Sequence, residues 1–450
     1  MMIQTKTDKT DETGKTGKSA EIFARAQRVT PAGVHSNSRA RAPHPIYFAR
    51  ADGPYIWDVD GRRSVDLGMG NGAILLGHNH PAVQAAVAEA LAAGITCGLE
   101  TESAYRAAEL FLQLVPSAEQ VRFTNTGTEA MLHALQIARA ATGKRRIAKA
   151  EGAYHGWADS LFVSTWPDLS RAGAESAPTA LPGTGGLDPH VVQDTLVIPF
   201  NQTEAAEALL RAHAHELAAV VVEPTLIDVG FVPAQPEFLA MLRRVADEEG
   251  ITLLFDELLT GFRLARGGAQ EHYAIRADLA IYGKALGNGY PVAAVAGKES
   301  VMAWSAPGPG RASFVGTFNG HAVVMAAVEA TLAQLADGAA TAALQARTER
   351  LIEAFADSAA RTGVAASMRG AGGHIHWYFA DHAPATYRQA AHSSAARYGA
   401  FIRVLVENDF MVFPNYLLHH AISLAHDDAV LARLVEAMDQ GLQAASRVEA

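Results

Sequence analysis

Two stretches in the middle of the chain, ITLLFDE at residues 251–257 and DLAIYGKALGNG at residues 278–289, decide the fold class. Each begins with a short apolar run of the kind that suits a strand buried on both faces. Helical patterns alternate with further runs of this type, as in PEFLAMLRRVADEEG at residues 236–250. This alternation predicts an α/β fold with a mostly parallel sheet.

The flanking regions have a different character. Residues 46–67, IYFARADGPYIWDVDGRRSVDL, alternate apolar and polar residues around Asp/Gly turns, which predicts antiparallel strands. Two amphipathic helices are predicted after Pro81, and helices with short strands near GGHIHWYF are predicted beyond about Gly320. The Pro/Gly-rich segment 164–189 is either a binding lid or a disordered insertion. We expect a disordered tail (1–18), an N-terminal segment with a small sheet (19–75), a large domain (76–325) and a small C-terminal domain (326–450).

Composition excludes several classes of protein. The chain has 450 residues, of which 49% are hydrophobic, so it can bury a substantial core and is not expected to be disordered as a whole. Its 37 basic and 47 acidic side chains give a net charge of -10 without a long basic run, which argues against nucleic acid as a partner. A single cysteine, Cys97, and the lack of a secretory or membrane-spanning pattern favour the cytoplasm.

Four features that carry chemistry each follow a predicted strand, where parallel strands bring their carboxyl ends to one crevice. A glycine between hydroxyl residues at a helix start offers N–H groups to a phosphate, although a simple helix cap is the better explanation when the motif is taken alone. An aromatic side chain can stack on a flat ring. The features are Thr126-Gly127-Thr128, Tyr154-His155, Asp256 and Lys284.

Asp256 and Lys284 suggest one kind of chemistry when they are taken together. A carboxylate after a very apolar strand needs a partner, and the protonated nitrogen of a pyridine ring is a suitable one. A lysine at the end of a buried strand can form a Schiff base with a carbonyl group. Each residue alone has an ordinary structural explanation, so the prediction depends on the combination.

These motifs resemble those of the pyridoxal-5'-phosphate (PLP)-dependent class III aminotransferases of fold type I. They are most similar to the glutamate-1-semialdehyde 2,1-aminomutase branch. The resemblance extends from about Val29 to Leu434 and includes RFTNTGTEAM, AEGAYHGWADSL, VVVEP, LLFDELLTGFRLARGGAQ and YGKALGNGYPVAAVAGK. It implies a large domain with a mostly parallel seven-stranded sheet flanked by helices, and a small α+β domain built from the N- and C-terminal parts.

The resemblance also implies roles for individual residues. Lys284 would hold PLP as a Schiff base and move a proton, and Asp256 would pair with the pyridine nitrogen. Arg39 would bind a substrate carboxylate, with Asn71 close to the substrate. The remaining residues would contact the cofactor: Thr126, Gly127 and Thr128 at the phosphate, Thr317 at the phosphate of a neighbouring subunit, Tyr154 on the ring with His155 beside it, and Glu223 near the ring substituents.

Several departures from the mutase pattern leave the reaction open. Asn71 replaces an aromatic residue, Leu418 replaces a carboxylate, and the loop after Trp166 lacks the mutase's Gly-Ser-Ser sequence. The leading hypothesis is an aminotransferase that acts on a carboxylate-bearing amine, with a β-amino acid as the first candidate, and on a keto acid. The alternatives are the aminomutase itself, an amino acid racemase, and a PLP-binding regulator without catalysis. A homodimer with active sites at the interface is implied.

Overall fold

The computed structural model describes residues 17–95 and 97–449. Nearly all of the predicted tail, residues 1–16, lies outside the described residues. The strands are β1 (Phe48–Asp52), β2 (Tyr55–Asp58), β3 (Arg63–Asp66), β4 (Gln120–Thr124), β5 (Arg146–Ala150), β6 (Gly173–Ala174), β7 (Ala177–Pro178), β8 (Thr195–Ile198), β9 (Leu217–Val222), β10 (Thr225–Leu226), β11 (Val232–Pro233), β12 (Thr252–Asp256), β13 (Leu279–Gly283), β14 (Ala293–Gly297), β15 (Ser367–Ala371), β16 (His374–Tyr378), β17 (Phe410–Met411) and β18 (His420–Ala421).

The α-helices of the described residues lie between and after these strands. They are α1 (Lys18–Ala26), α2 (Pro81–Ala93), α3 (Glu102–Leu114), α4 (Gly127–Thr142), α5 (Pro189–Gln193), α6 (Thr203–His213), α7 (Pro236–Glu249), α8 (Ala269–Tyr273), α9 (Glu299–Met302), α10 (Ala322–Ala333), α11 (Ala339–Thr362), α12 (Tyr387–Ala391), α13 (Ala395–Glu407) and α14 (Asp428–Ala445). Across the described ranges, no helix is both long and apolar enough to cross a membrane.

The central sheet has seven strands in the order β4-β14-β13-β12-β9-β5-β8. Strand β14 runs antiparallel to both of its neighbours, and the other adjacent pairs are parallel. Both faces are buried: Leu279 and Ile281 pack with α4, whereas Ala280 and Tyr282 face the second layer. This double burial explains the continuous apolar runs, and it confirms the predicted mostly parallel α/β sheet.

Smaller sheets accompany the central one. Strands β1, β2 and β3 form the predicted antiparallel N-terminal sheet, and β17 from the C-terminal part joins it beside β3. Strands β15, β16 and β18 form a second small sheet. The segment 164–189, for which the sequence left two alternatives, contains the paired strands β6 and β7. The N- and C-terminal parts are thus joined through a shared sheet, while the predicted domain boundaries remain predictions.

Candidate active site

The register of the central sheet brings the predicted motifs to one edge. Thr124, at the end of β4, and Gly283, at the end of β13, both lie opposite Ala293 of β14. In the neighbouring pair, Asp256 of β12 lies opposite Ile281 of β13. The loops that follow β4, β12 and β13 therefore leave the sheet at nearly the same level, as parallel strands require of a shared ligand crevice.

Lys284 begins a tight turn directly after β13. Its φ of 46° lies in the left-handed region, which is uncommon for a residue with a side chain and is found where surrounding contacts hold the backbone. Asn288, at the end of this turn, supplies such contacts because its Oδ1 accepts hydrogen bonds from the N–H groups of Leu75 and Leu76, each at 2.9 Å. The turn that presents Lys284 is thereby fixed to the loop after the N-terminal sheet.

Asp256 is buried and bonded to His155. The Nδ1 of His155 lies 2.8 Å from Asp256 Oδ2, and Asp256 Oδ1 accepts a hydrogen bond from the N–H of Leu258 at 3.1 Å. Burial lowers the pKa of His155, and the bond to Asp256 opposes this effect only in part. A neutral imidazole that donates from Nδ1 holds the carboxylate in place. The structure thus joins two of the predicted residues and gives His155 the role of orienting Asp256.

The start of α4 has the geometry expected of an anion-binding turn. Thr126 is its N-cap and accepts a hydrogen bond from the N–H of Glu129 at 3.2 Å, so the capping explanation holds for this hydroxyl. Gly127 and Thr128 supply the first N–H groups of the helix, which have no acceptor within the helix itself. Gly156 approaches Thr128 so closely that a Cβ there would lie 2.5 Å from Thr128 Oγ1.

Tyr154 and Glu223 lie next to each other. Glu223 Oε1 accepts a hydrogen bond from the N–H of Tyr154 at 3.1 Å. Burial, followed by the negative charges of Asp256 and Asp228, raises the pKa of Glu223 well above its ordinary value. The Tyr154 ring is parallel to that of Trp166, with 5.6 Å between the ring centroids. An aromatic surface and a buried acid with a raised pKa therefore border the crevice.

Asp228 and His419 also belong to this region, and the sequence analysis missed both. The Nδ1 of His419 lies 2.9 Å from Asp228 Oδ1. Although burial favours its protonated form, the bond to His419 and the positive charge of Lys284 lower the pKa of Asp228 to about 2. A carboxylate in the apolar stretch TLIDVGFV, five positions after Glu223, was the available signal. The significance of His419 had no such signal, because its partner lies 191 residues away.

Three predicted residues make no side-chain hydrogen bond or ion pair with this cluster among the described residues. Arg39 is exposed in a short turn and has no ion pair or side-chain hydrogen bond within the described ranges. Asn71 is exposed with a φ of 55°. Thr317 is exposed in a loop that reaches the start of α4, where Asn319 Oδ1 accepts a hydrogen bond from Asn125 Nδ2 at 3.2 Å. Their substrate and phosphate roles remain predictions.

The chain is similar to known proteins over almost its whole length. The family model described as aminotransferase class-III matches residues 36–438. Glutamate-1-semialdehyde 2,1-aminomutase 2 of Brevibacillus brevis is 38% identical over 430 residues, covering 95% of this chain and 98% of that protein.

Solved structures give the same result. An omega-transaminase from Sphaerobacter thermophilus has a TM-score of 0.91 and 35% identity, covering 95% of this chain and 98% of that one. A beta-phenylalanine aminotransferase from Variovorax paradoxus has a TM-score of 0.83 and 33% identity, covering 94% and 93%. With the predicted fold confirmed and the predicted motifs at one sheet edge, the chain belongs to the class III aminotransferases, which are PLP-dependent enzymes.

Proposed function

We propose that this enzyme transfers an amino group between a carboxylate-bearing amine and a keto acid, and that Lys284 holds the cofactor through a Schiff base. The observation that carries the proposal is the position of Lys284 and Asp256, at the carboxyl ends of adjacent strands β13 and β12. A lysine amine and a carboxylate at the ends of neighbouring strands suit the two ends of one pyridine ring system.

The residues present fit PLP. The free N–H groups of Gly127 and Thr128 suit a phosphate, and the parallel Tyr154 and Trp166 rings suit a flat ring. Asp256, oriented by His155, is placed to hold the pyridine nitrogen protonated. PLP supplies an electron-accepting ring that weakens the C–H bond beside the substrate amine.

The protein's own groups would then control the proton. The Lys284 amine would be the base that takes the proton from the substrate carbon that carries the amine, and it would hold that proton for return on the cofactor side. Glu223, whose pKa burial raises well above its ordinary value, would border the ring at its edge, held by the N–H of Tyr154. A β-amino acid is the first candidate amine, because one similar structure is a beta-phenylalanine aminotransferase.

A second candidate is the intramolecular reaction of glutamate-1-semialdehyde 2,1-aminomutase. It is favoured by the 38% identity to the Brevibacillus brevis protein of that name. The two reactions differ in whether an amino acceptor is required. We would incubate the purified enzyme with glutamate-1-semialdehyde alone, and separately with 3-amino-3-phenylpropanoate plus pyruvate or 2-oxoglutarate. Turnover of the semialdehyde alone would contradict the proposal, and amino transfer to either keto acid would support it.

The role of Lys284 has its own test. We expect that wild-type enzyme loaded with PLP absorbs visible light and yields a covalent adduct after borohydride reduction. Lys284→Ala should yield no adduct, because no other lysine of the described residues follows a strand at this crevice. Lys298→Ala is the matched control and should keep the adduct. Lys298 lies away from the crevice, where its Nζ is 2.6 Å from Asp278 Oδ1. An adduct that survives Lys284→Ala, located by peptide mass spectrometry, would contradict this role.

A further inference from the structure

Asp228 has an ionised carboxylate, and only one of its two oxygens accepts a hydrogen bond from a described residue. Its Oδ1 accepts the hydrogen bond from His419, whereas Oδ2 has no protein donor among the described residues and remains accessible to solvent. The side chain is 16% exposed, while that of His419 is 2% exposed. The imidazole thus fixes the carboxylate from the interior, and the free oxygen is left for the crevice.

The backbone of Asp228 is fixed as well. Trp166, whose ring is parallel to that of Tyr154, donates from its Nε1 to the carbonyl oxygen of Asp228 at 3.0 Å. The loop that carries Asp228 is therefore tied to the aromatic pair on one side and to His419 on the other. A charge held by two independent contacts cannot easily turn away from a ligand.

The charges around Asp228 leave it as an anion next to the reacting position. The positive charge of Lys284 helps to lower the pKa of Asp228. Burial is the main cause that raises the pKa of Tyr154, and the negative charge of Asp228 adds to it. The pKa of Glu223 is raised by burial first, then by Asp256 and then by Asp228. A tyrosine or a glutamate side chain carries no positive charge in either protonation state, so Tyr154 and Glu223 cannot neutralise a second anion on this side.

We propose that Asp228 excludes carboxylates from one side of the substrate crevice. The group that the reacting carbon directs to that side must then be neutral or cationic. This deepens the proposed function and rests on it, because the reacting carbon is placed by its contact with Lys284. Two anions at close range in a partly buried site repel strongly. A substrate with one carboxylate can turn that group away from Asp228, whereas a dicarboxylate has to direct one of its two charges towards it.

The substrate class follows from this asymmetry. The enzyme should favour monocarboxylates, including β-amino acids with an uncharged side group, over dicarboxylates of equal size. The same reasoning favours pyruvate over 2-oxoglutarate as the keto acid. His419 is a positioning residue here, since it acts on the substrate through Asp228.

The test compares two ligands that differ only in charge, 2-methylaspartate and 2-methylasparagine. A methyl group replaces the hydrogen on the carbon that carries the amine, so neither ligand can undergo the proton transfer, and binding is read from the change in cofactor absorbance. Wild-type enzyme loaded with PLP should bind the amide at least about tenfold more tightly than the acid. Asp228→Asn, which removes the charge but keeps the shape, should bring the two dissociation constants within about threefold.

Two further variants complete the design. Asp357→Asn removes an exposed carboxylate on α11 and should keep the wild-type preference. His419→Asn keeps the charge of Asp228 and offers an amide donor near the position of Nδ1, so it should also keep the preference. Equal binding of the two ligands by wild-type enzyme would overturn the proposal even if Asp228→Asn failed to fold. An unchanged preference in folded Asp228→Asn would overturn it too. If amino transfer is absent while the preference persists, only the proposed function fails.

Discussion

Lys149, on β5, is a fully buried lysine below the crevice. Its Nζ donates to the carbonyl oxygens of Ala153 and Val163 and to Thr165 Oγ1. Burial lowers the pKa of Lys149 to about 7, although the charges of Glu223 and nearby Glu151 oppose this shift. The side chain fixes the start of the loop that carries Tyr154 and His155, so it supports the site without touching the substrate.

The lowered pKa predicts how stability depends on pH. Between pH 7 and the ordinary lysine value of 10.5, the unfolded chain still binds a proton at Lys149 that the folded chain has released. Stability conferred by this position therefore rises with pH through that window. In Lys149→Met the rise should disappear, so the free energy of unfolding of wild type should increase relative to the variant between pH 7 and 10, as measured by urea titration.

Lys18→Met, at an exposed position on α1, is the control and should follow the wild-type curve at every pH. Curves for wild type and Lys149→Met that stay parallel across the window would show that Lys149 does not titrate there.

The sequence predicted residues whose chemistry is local. Asp256 and Lys284 could be recognised because each follows an apolar strand and carries a reactive group. Asp228 could not be weighed in the same way, because its importance depends on a bond to His419. The pairing of His155 with Asp256 was hidden for the same reason, since the two residues lie 101 positions apart. Long-range side-chain pairs follow from the sheet register, which periodicity does not specify.

At the scale of elements, Gly156 makes a close contact with the start of α4. Gly156 has a φ of 95°, and a Cβ at this position would lie 2.5 Å from Thr128 Oγ1 and 3.2 Å from Thr128 Cα. A backbone atom cannot move aside as a flexible side chain can. Any side chain here would therefore push the loop after β5 away from the helix start.

Gly156→Ala should weaken PLP binding about tenfold, because a displaced helix start no longer directs its N–H groups at the phosphate. Gly94→Ala is the matched control: its φ of 101° imposes similar backbone strain, but a Cβ there meets no atom of the described residues within 4 Å. The dissociation constant of PLP, measured by fluorescence quenching, should change in the first variant and not in the second. Equal effects in both variants would assign the loss to backbone strain alone.

Element types were predicted more successfully than their arrangement. The N-terminal strands, the first helices and the alternating middle region were confirmed because their periodicities are strong. The reversed direction of β14 had no signal in the sequence, since a fully buried strand has the same apolar composition in either direction. The ordered β6–β7 pair within segment 164–189 was equally hidden, because its strands are two residues long.

At the scale of the whole molecule, the loop around Thr317 exposes apolar side chains. Val315 is 73% exposed and Phe318 is 57% exposed, and both flank the threonine that the family resemblance places at a partner's phosphate. Large apolar side chains in such a position favour contact with another protein surface. The homodimer that the family resemblance implies would bury these side chains if its interface includes this loop.

Phe318→Asp should shift the enzyme from dimer towards monomer in sedimentation velocity, because the new charge would be buried against the partner. PLP affinity should fall with the dimer fraction if Thr317 of one copy reaches the other. Leu132→Asp, at a side chain 41% exposed on α4, tests whether any new surface charge has this effect. A wild-type enzyme that sediments as a monomer would refute the association outright.

The reversed strand β14 also fixes a length. Strand β14 lies between β4 and β13, so these two strands are two strand spacings apart, or about 10 Å. The turn at Gly127 follows β4 and Lys284 follows β13, so the same distance separates the points where they leave the sheet. A ligand fastened at both points must match this span. The span changes only in whole strand widths of about 5 Å, so gradual sequence change cannot adjust it. Relatives that acquire new substrates would have to vary the loops around the crevice and leave this distance as it is.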